Sequence, residues 1–293
     1  VRKNPKVFLL LSGKNDFEML VSKFREAGIN NVKISAGYRI SYPDEKLFTF
    51  YLDEFETKLF DLPEGVYTCL IENEDCEEQI LTPGMDDEIF SRTKVPMTKN
   101  EVRVLSISRL ELTKNAVVYD VGSGTGSVSA ECARLSPDIF VFAIEQKEEA
   151  ANLTKENAAR LGLLDQIVVI NKKAPEGFEE LPTPTHVFIG GSSGALSDIL
   201  SAIQKKLIAK ENTKGKTDKA SKRVRVVINA VSLETIAQIT KLIQTYPVEH
   251  VQLTQIQASR AHKLGSYNLM QAQNPVLIAS FDLLPDDKIE ADE

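Results

Sequence analysis

The residues best placed to do chemistry in this 293-residue chain are Asp120, Gly122, Gly124 and Gly126, which alternate through the stretch VVYDVGSGTG at 117–126. An apolar run of strand length leads into them and a helical pattern follows. The glycines therefore fall at the carboxyl end of a strand, where open parallel sheets bind ligands. Glycine there lets backbone approach a ligand that a Cβ would exclude, although the same turn also serves tight strand-to-helix packing. Glu145 ends the next strand. Its carboxylate can accept hydrogen bonds from both hydroxyls of a ribose, the alternative being a solvated glutamate after a strand. NAD would satisfy both features. The form DxGxGxG, rather than GxGxxG, favours S-adenosyl-L-methionine, a ligand with no phosphate to cradle. This reading places Asp120, Gly122, Ser123, Gly124, Thr125, Gly126 and Glu145 at the cofactor.

The elements that must position these residues follow from apolar periodicity. From 116 onward strands (116–120, 139–145, 167–171, 186–190, 224–229) alternate with helices (127–135, 148–161, 195–207, 233–246). That alternation predicts a mostly parallel sheet covered on both faces. Two further strands, 251–258 and 276–281, have no helix-length pattern between them and are expected to form an antiparallel edge. Ahead of this lies a smaller α/β unit. It has strands at 6–12, 32–34 and 66–71, and a helix after Asn15 whose apolar residues Phe17, Leu20, Val21 and Phe24 recur at helical spacing. Asn15 and Glu18 have the spacing of a capping box, and Pro83-Gly84 marks a loop. The expected domains are 1–90 and 91–293.

Composition bounds the class: 42% apolar and 26% charged residues describe a globular protein. No apolar run approaches the roughly 20 residues of a membrane span, and the start, Val1-Arg2-Lys3, lacks a signal-peptide core, so a cytoplasmic protein is expected. The net charge of −7 speaks against a dedicated nucleic-acid binder. Cys69, Cys76 and Cys132 form no CxxC pair, and His186, His250 and His262 show no metal-ligand spacing, so no metal is expected. Thr98 to Glu101 reads as a capping box, a role compatible with facing a ligand. The polar stretch at 205–225 reads as a surface loop, or alternatively as a basic clamp for an anionic substrate.

Several segments together resemble the cobalamin-pathway methyltransferases that act on precorrin-6B, including the C-terminal half of the fused precorrin-6Y C5,15-methyltransferases. They are KVPMTKNEVR at 94–103, the turn 120–126, Ala174-Pro175-Glu176, FIGGSSG at 188–194, INAV at 228–231 with Leu233 and Glu234, Ser259-Arg260-Ala261 with Gly265, and Asn274-Pro275-Val276. The region before residue 94, including the stretch 81–92, resembles the second half of the C5-methylating partner in the fused enzymes, so residues 1–90 are expected to be a partial domain of that type without C5 activity. A noncatalytic interaction module is the other reading of these residues.

The resemblance implies a Rossmann-like class I methyltransferase that methylates C15 of (cobalt-)precorrin-6B and releases the C12 acetate carboxyl. It implies a corrinoid, tetrapyrrole substrate, no membrane partner and a homo-oligomer. It carries the cofactor contacts over to Thr98, residues 122–126, Glu145 and Ala174. Lys173 and Thr185 stand where relatives commonly have aspartate. Gly190, Gly191 and Gly194 are candidates for the space beside the transferred methyl, their alternative being a tight turn. Arg260, with Lys263 or the loop lysines, is the candidate for binding substrate carboxylates. No side chain is assigned as catalytic acid or base, because in-line positioning can provide much of a methyl transfer's acceleration. An RNA methyltransferase of the same fold is the alternative, weakened because the fourth strand ends in Gly190-Gly191-Ser192 rather than an Asn/Asp-Pro-Pro-aromatic turn.

Overall fold

The computed structural model describes residues 4–58, 61–76, 82–214 and 223–286. The chain divides into two compact units, Val1–Ile80 and Leu81–Glu293.

In the first unit, β1 (Lys6–Leu11), α1 (Lys14–Glu26), β2 (Val32–Tyr38), β3 (Lys46–Tyr51), the single turn α2 (Phe55–Lys58) and β4 (Tyr67–Asn73) follow in order. The strands form an antiparallel sheet ordered β1-β4-β2-β3. Phe17, Val21 and Phe24 of α1 share a core with Ile34, Phe50, Cys69 and Ile71, so the helical spacing of these three residues is what seats α1. Two local expectations fail. The N-cap is Gly13 rather than Asn15, and the acid that closes the turn is Asp16, whose carboxylate accepts from Ser12 N at 2.6 Å. β3 was not anticipated, although Leu47, Phe48 and Phe50 give it strand character.

The second unit opens with α3 (Asn100–Leu110). It continues through β5 (Val117–Val121), α4 (Ser127–Ala133), β6 (Phe140–Ile144), α5 (Glu148–Arg160), β7 (Ile167–Ile170), β8 (His186–Ile189), α6 (Leu196–Lys214), β9 (Val224–Ala230) and α7 (Leu233–Thr245). It closes with β10 (Val248–Ile256), β11 (Ser259–Leu264), β12 (Tyr267–Ala272) and β13 (Val276–Leu283). Seven strands make one sheet, ordered β10-β13-β9-β8-β5-β6-β7. The pairs from β9 through β7 are parallel; β13 and β10 are antiparallel. Alternation along the strands feeds two cores. Val118 and Phe188 join the core under α3, α4 and α5, while Tyr119, Val121, Val187 and Ile189 join that under α6 and α7. Buried apolar residues on both sides of these strands are the physical reason a parallel sheet must be covered twice.

Three boundaries depart from expectation. The division falls at Ile80/Leu81 rather than 90/91, because residues 84–87 are bonded to α3 and α4: Glu131 accepts from Gly84 N and Met85 N, and Asp87 accepts from Asn100 N. Helix α6 runs to Lys214, ten residues into the stretch expected to be loop, and 215–222 lie outside the described residues. The antiparallel edge forms as β10 against β13, but an exposed hairpin of β11 and β12 stands between them in sequence.

Candidate active site

The glycine-rich turn is held from below by the sheet. Gly122 N donates to Ile144 O at 2.9 Å and Gly126 N to Ser123 O at 2.8 Å, and Gly126 ends the turn as the N-cap of α4. Glycine is required here by the protein itself. A Cβ on Gly122 (φ 73°) would stand 2.6 Å from Gly191 O in the loop after β8, and one on Gly124 (φ 57°) 2.9 Å from Pro96 O. The turn is thus the meeting point of two other segments, 94–99 and 190–193.

These segments enclose a cavity of about 660 Å³ at the carboxyl ends of β5, β6, β8 and β9. This lies within the range of about 300–1,000 Å³ usual for small-molecule sites, and the position is the one open parallel sheets use. Thr98, Gly122, Ser123, Gly124, Glu145, Ala174, Gly190 and Gly191 all border it, as expected for each. Glu145 is nearly buried, and each carboxylate oxygen takes one backbone N–H, Oε2 from Gly124 at 3.1 Å and Oε1 from Lys147 at 2.9 Å. Its carbonyl also accepts from Asn171 Nδ2 at 2.8 Å. The carboxylate is therefore oriented before any ligand arrives, and each oxygen keeps further accepting capacity.

Six residues are placed otherwise than expected. Asp120 lies behind the turn, 1% exposed; its Oδ2 accepts from Ser129 Oγ, and Oδ1 has no partner. Burial, opposed by the Ser129 hydrogen bond and reinforced by Glu145, pushes its carboxyl up to about 6. Thr125 is fully buried with its hydroxyl unpartnered, and Gly126 packs on Thr154; neither borders the cavity. Gly194 also lies off the cavity lining, so only two of the three glycines after β8 reach the site. Thr98 does not cap α3; Lys99 occupies the N-cap, and Thr98 instead accepts through its carbonyl from Arg103 Nη1 at 2.7 Å. Arg260 is already spent: it grips Glu101 through Nε at 2.7 Å and Nη2 at 2.6 Å, and Asp87 through Nη1 at 2.8 Å. A guanidinium so committed has no free fork for a substrate carboxylate.

Beneath the cavity, Arg103 is completely buried and joins Asp87 and Glu131, each at 3.1 Å. It also donates to the carbonyl of Met85. The cluster ties residues 84–103 to α4, fixing the segment whose Pro96 carbonyl rests on Gly124. Other lining residues escaped the sequence reading. Among them, Asn229 accepts through Oδ1 from Ser106 Oγ at 3.0 Å, while its Nδ2 is buried without a partner. The signal was present, since Asn229 sits at the carboxyl end of a central strand. Thr185 has a structural explanation: its hydroxyl oxygen takes Val117 N at 2.9 Å, a bond that an aspartate could also accept.

A glycine turn after the first strand of a mostly parallel seven-stranded sheet, an acid after the second strand and an antiparallel C-terminal edge define a Rossmann-like methyltransferase. The profile of the precorrin methyltransferase domain matches residues 88–282. A probable cobalt-precorrin-6B C(15)-methyltransferase (decarboxylating) of Pyrobaculum calidifontis is 36% identical over 199 residues, 67% of this chain and 94% of the relative. The chain belongs to the precorrin methyltransferase family. A precorrin-6Y C5,15-methyltransferase of Geobacter metallireducens superimposes with a TM-score of 0.59 at 29% identity, covering 69% of this chain and 96% of the other. A precorrin 8W decarboxylase of Methanobacterium thermoautotrophicum does so with a TM-score of 0.56 at 29% identity, covering 67% and 98%. These similarities do not favour the RNA methyltransferase alternative. Among the described residues no helix is long and apolar enough to cross a membrane, and no cluster of His, Cys, Asp and Glu is arranged to hold a metal ion.

Proposed function

We propose that this chain methylates C15 of a precorrin-6B-type macrocycle, with or without cobalt, and releases the C12 acetate carboxyl as carbon dioxide. The observation that carries this reading is the convergence of Gly122, Gly124, Glu145 and Ala174 on one cavity in a chain of this family. The cavity fits S-adenosylmethionine: two glycines leave a surface without side chains, and a preoriented carboxylate stands where a ribose can use its remaining lone pairs. That ligand supplies an electrophilic methyl on its sulfonium. The protein's part is to hold Glu145 rigidly and to let the backbone of Ala174 meet the adenine. Gly190 and Gly191 leave room for a flat acceptor beside the turn. Residues 1–90 are read as a partial C5-methyltransferase-like domain that does not methylate C5.

Mass spectrometry of precorrin-6B and of cobalt-precorrin-6B, each incubated with the protein and S-adenosylmethionine, tests the reading. The expected product gains one methyl and loses one carbon dioxide, and Gly124→Asp, which fills the turn against Pro96, abolishes it. An unchanged corrinoid in the presence of bound cofactor overturns the assignment of substrate.

A further inference from the structure

The chain as a whole is acidic, with a net charge of −7, yet the lining of its cavity inverts that sign. Five lysines, 94, 99, 147, 172 and 173, border it against two glutamates, 145 and 149. Each acid accepts from neutral donors and keeps its charge, Glu145 from two backbone amides and Glu149 from the hydroxyl of Thr93 at 2.6 Å, so five lysines against two glutamates leave the lining with a formal charge of +3. Two of the lysines are partly committed, Lys99 to Asp87 at 3.9 Å and Lys172 to Glu180 at 3.5 Å. Lys94, Lys147 and Lys173 are exposed and form no ion pair among the described residues. They come from three separate places: the segment before α3, the N-cap of α5, and the loop after β7.

We infer that Lys94, Lys147 and Lys173 form a cationic rim that captures a polycarboxylate ligand and orients it over the cavity. The inference rests on the reading above for the identity of the ligand, but only on charge and position for its class. Three ammonium groups from different segments, at one cavity of a chain whose net charge is −7, focus a positive potential there. Such a field raises the encounter rate of anions and is weakened by salt. The rim also supplies what Arg260 cannot. Lysine suits the task because a point charge on a flexible stem can meet several carboxylates spread around a ring without demanding one fixed geometry. The cations lie on the surface and leave the groups around Gly122 and Glu145 untouched.

The test compares the native protein with two triple variants, Lys94→Gln/Lys147→Gln/Lys173→Gln and the same three positions changed to Arg. Two readouts are taken. The first is equilibrium binding of uroporphyrin III, a flat octacarboxylate, at low and high salt. The second is methylation of precorrin-6B and of cobalt-precorrin-6B. The Gln variant is expected to bind the porphyrin roughly tenfold or more weakly at low salt, with a flatter salt dependence, and to raise KM far more than it lowers kcat. The Arg variant restores both, because charge rather than packing is the requirement. Porphyrin binding that is absent in the native protein, or equal in the native protein and the Gln variant, overturns the rim. Lysine-dependent porphyrin binding without methylation of either precorrin-6B or cobalt-precorrin-6B supports the rim and overturns the proposed reaction instead.

Discussion

Replacing Arg103 with methionine removes a guanidinium that holds four groups at once. It touches Glu131 and Asp87 at 3.1 Å each, the carbonyl of Thr98 at 2.7 Å and that of Met85, and it stacks 5.0 Å from the centre of the Phe90 ring. Both carboxylates are buried, so the cost is governed by charge left behind. Breaking a buried ion pair by removing one partner costs about 3–5 kcal/mol. The carboxylates keep other donors here: Asp87 retains Arg260 at 2.8 Å, and Glu131 retains the amides of Gly84 and Met85. These hold the loss below the upper end of that range, while the Thr98 carbonyl, deprived of its donor, pushes it up; the Met85 carbonyl keeps Asn100 Nδ2 at 3.0 Å. The expected loss is about 4 kcal/mol, a midpoint shift of about 2 M for a urea slope near 2 kcal/mol/M. Equilibrium unfolding in urea of the full chain, followed by far-UV circular dichroism, measures it. Adding Glu131→Gln removes one stranded charge and should recover at least about 1 kcal/mol of that loss. A shift below about 0.5 M, or a double variant that loses the sum of the two single losses, refutes the claim that this cluster pins residues 84–103.

Three further outcomes follow from named contacts. Gly122→Ala places a Cβ 2.6 Å from Gly191 O at φ 73° and should cost about 1–3 kcal/mol, whereas Gly191→Ala, which meets nothing within 4 Å, should leave the melting temperature nearly unchanged. His186 is held down to about 4, chiefly by burial and also by Arg225. The neutral ring it requires is thus a source of stability present above about pH 6.5 and lost as pH falls toward 4, worth about 3 kcal/mol over that window. Asp120 has the opposite sign: its raised pKa gives stability below its ordinary value that is lost as pH rises to about 6. The two slopes oppose each other in the native protein. Asp120→Asn should therefore gain about 3 kcal/mol relative to the native protein between pH 4 and 7, and His186→Gln should lose the acid-side decline, both read from urea midpoints across that range. Parallel pH profiles for all three proteins would contradict both assignments.

What could be read from the sequence was what the chain repeats. The parallel strands were legible because burial on both faces leaves runs such as VVYDV and VRVVINA almost wholly apolar between glycine and polar breaks. The hairpin of β11 and β12 was not, because nearly all of it is exposed and no alternation between core and solvent marks it. The end of α6 was misplaced for a related reason: lysine, glutamate and alanine at 205–211 are good helix formers, but they look like loop when apolar spacing is the criterion. At the site, spacing located Gly122, Ser123 and Gly124 but could not separate them from Asp120, Thr125 and Gly126, which lie off the cavity. Nor could spacing show that Arg260 is already paired, since its partners Asp87 and Glu101 lie 173 and 159 positions away. A cation's availability depends on such distant neighbours, which composition does not reveal.

The glycine turn shows where motif and mechanism part company. Its glycines are explained without any ligand, by Gly191 O, Pro96 O and the side chain of Thr154 standing where Cβ atoms would be. The motif therefore records that three segments of protein meet at the end of β5, and the cavity is what they enclose between them. Ligand specificity must come from groups the meeting exposes: Glu145, fixed by two amides, and the rim of lysines above it. Residues 94–99 form one wall and are pinned by Arg103, so under the proposed function cofactor affinity is predicted to depend on a buried ion cluster whose charged groups do not touch the glycine turn. A variant can then keep every glycine and the carboxylate of Glu145 and still bind poorly, through a wall that no longer docks on Gly124.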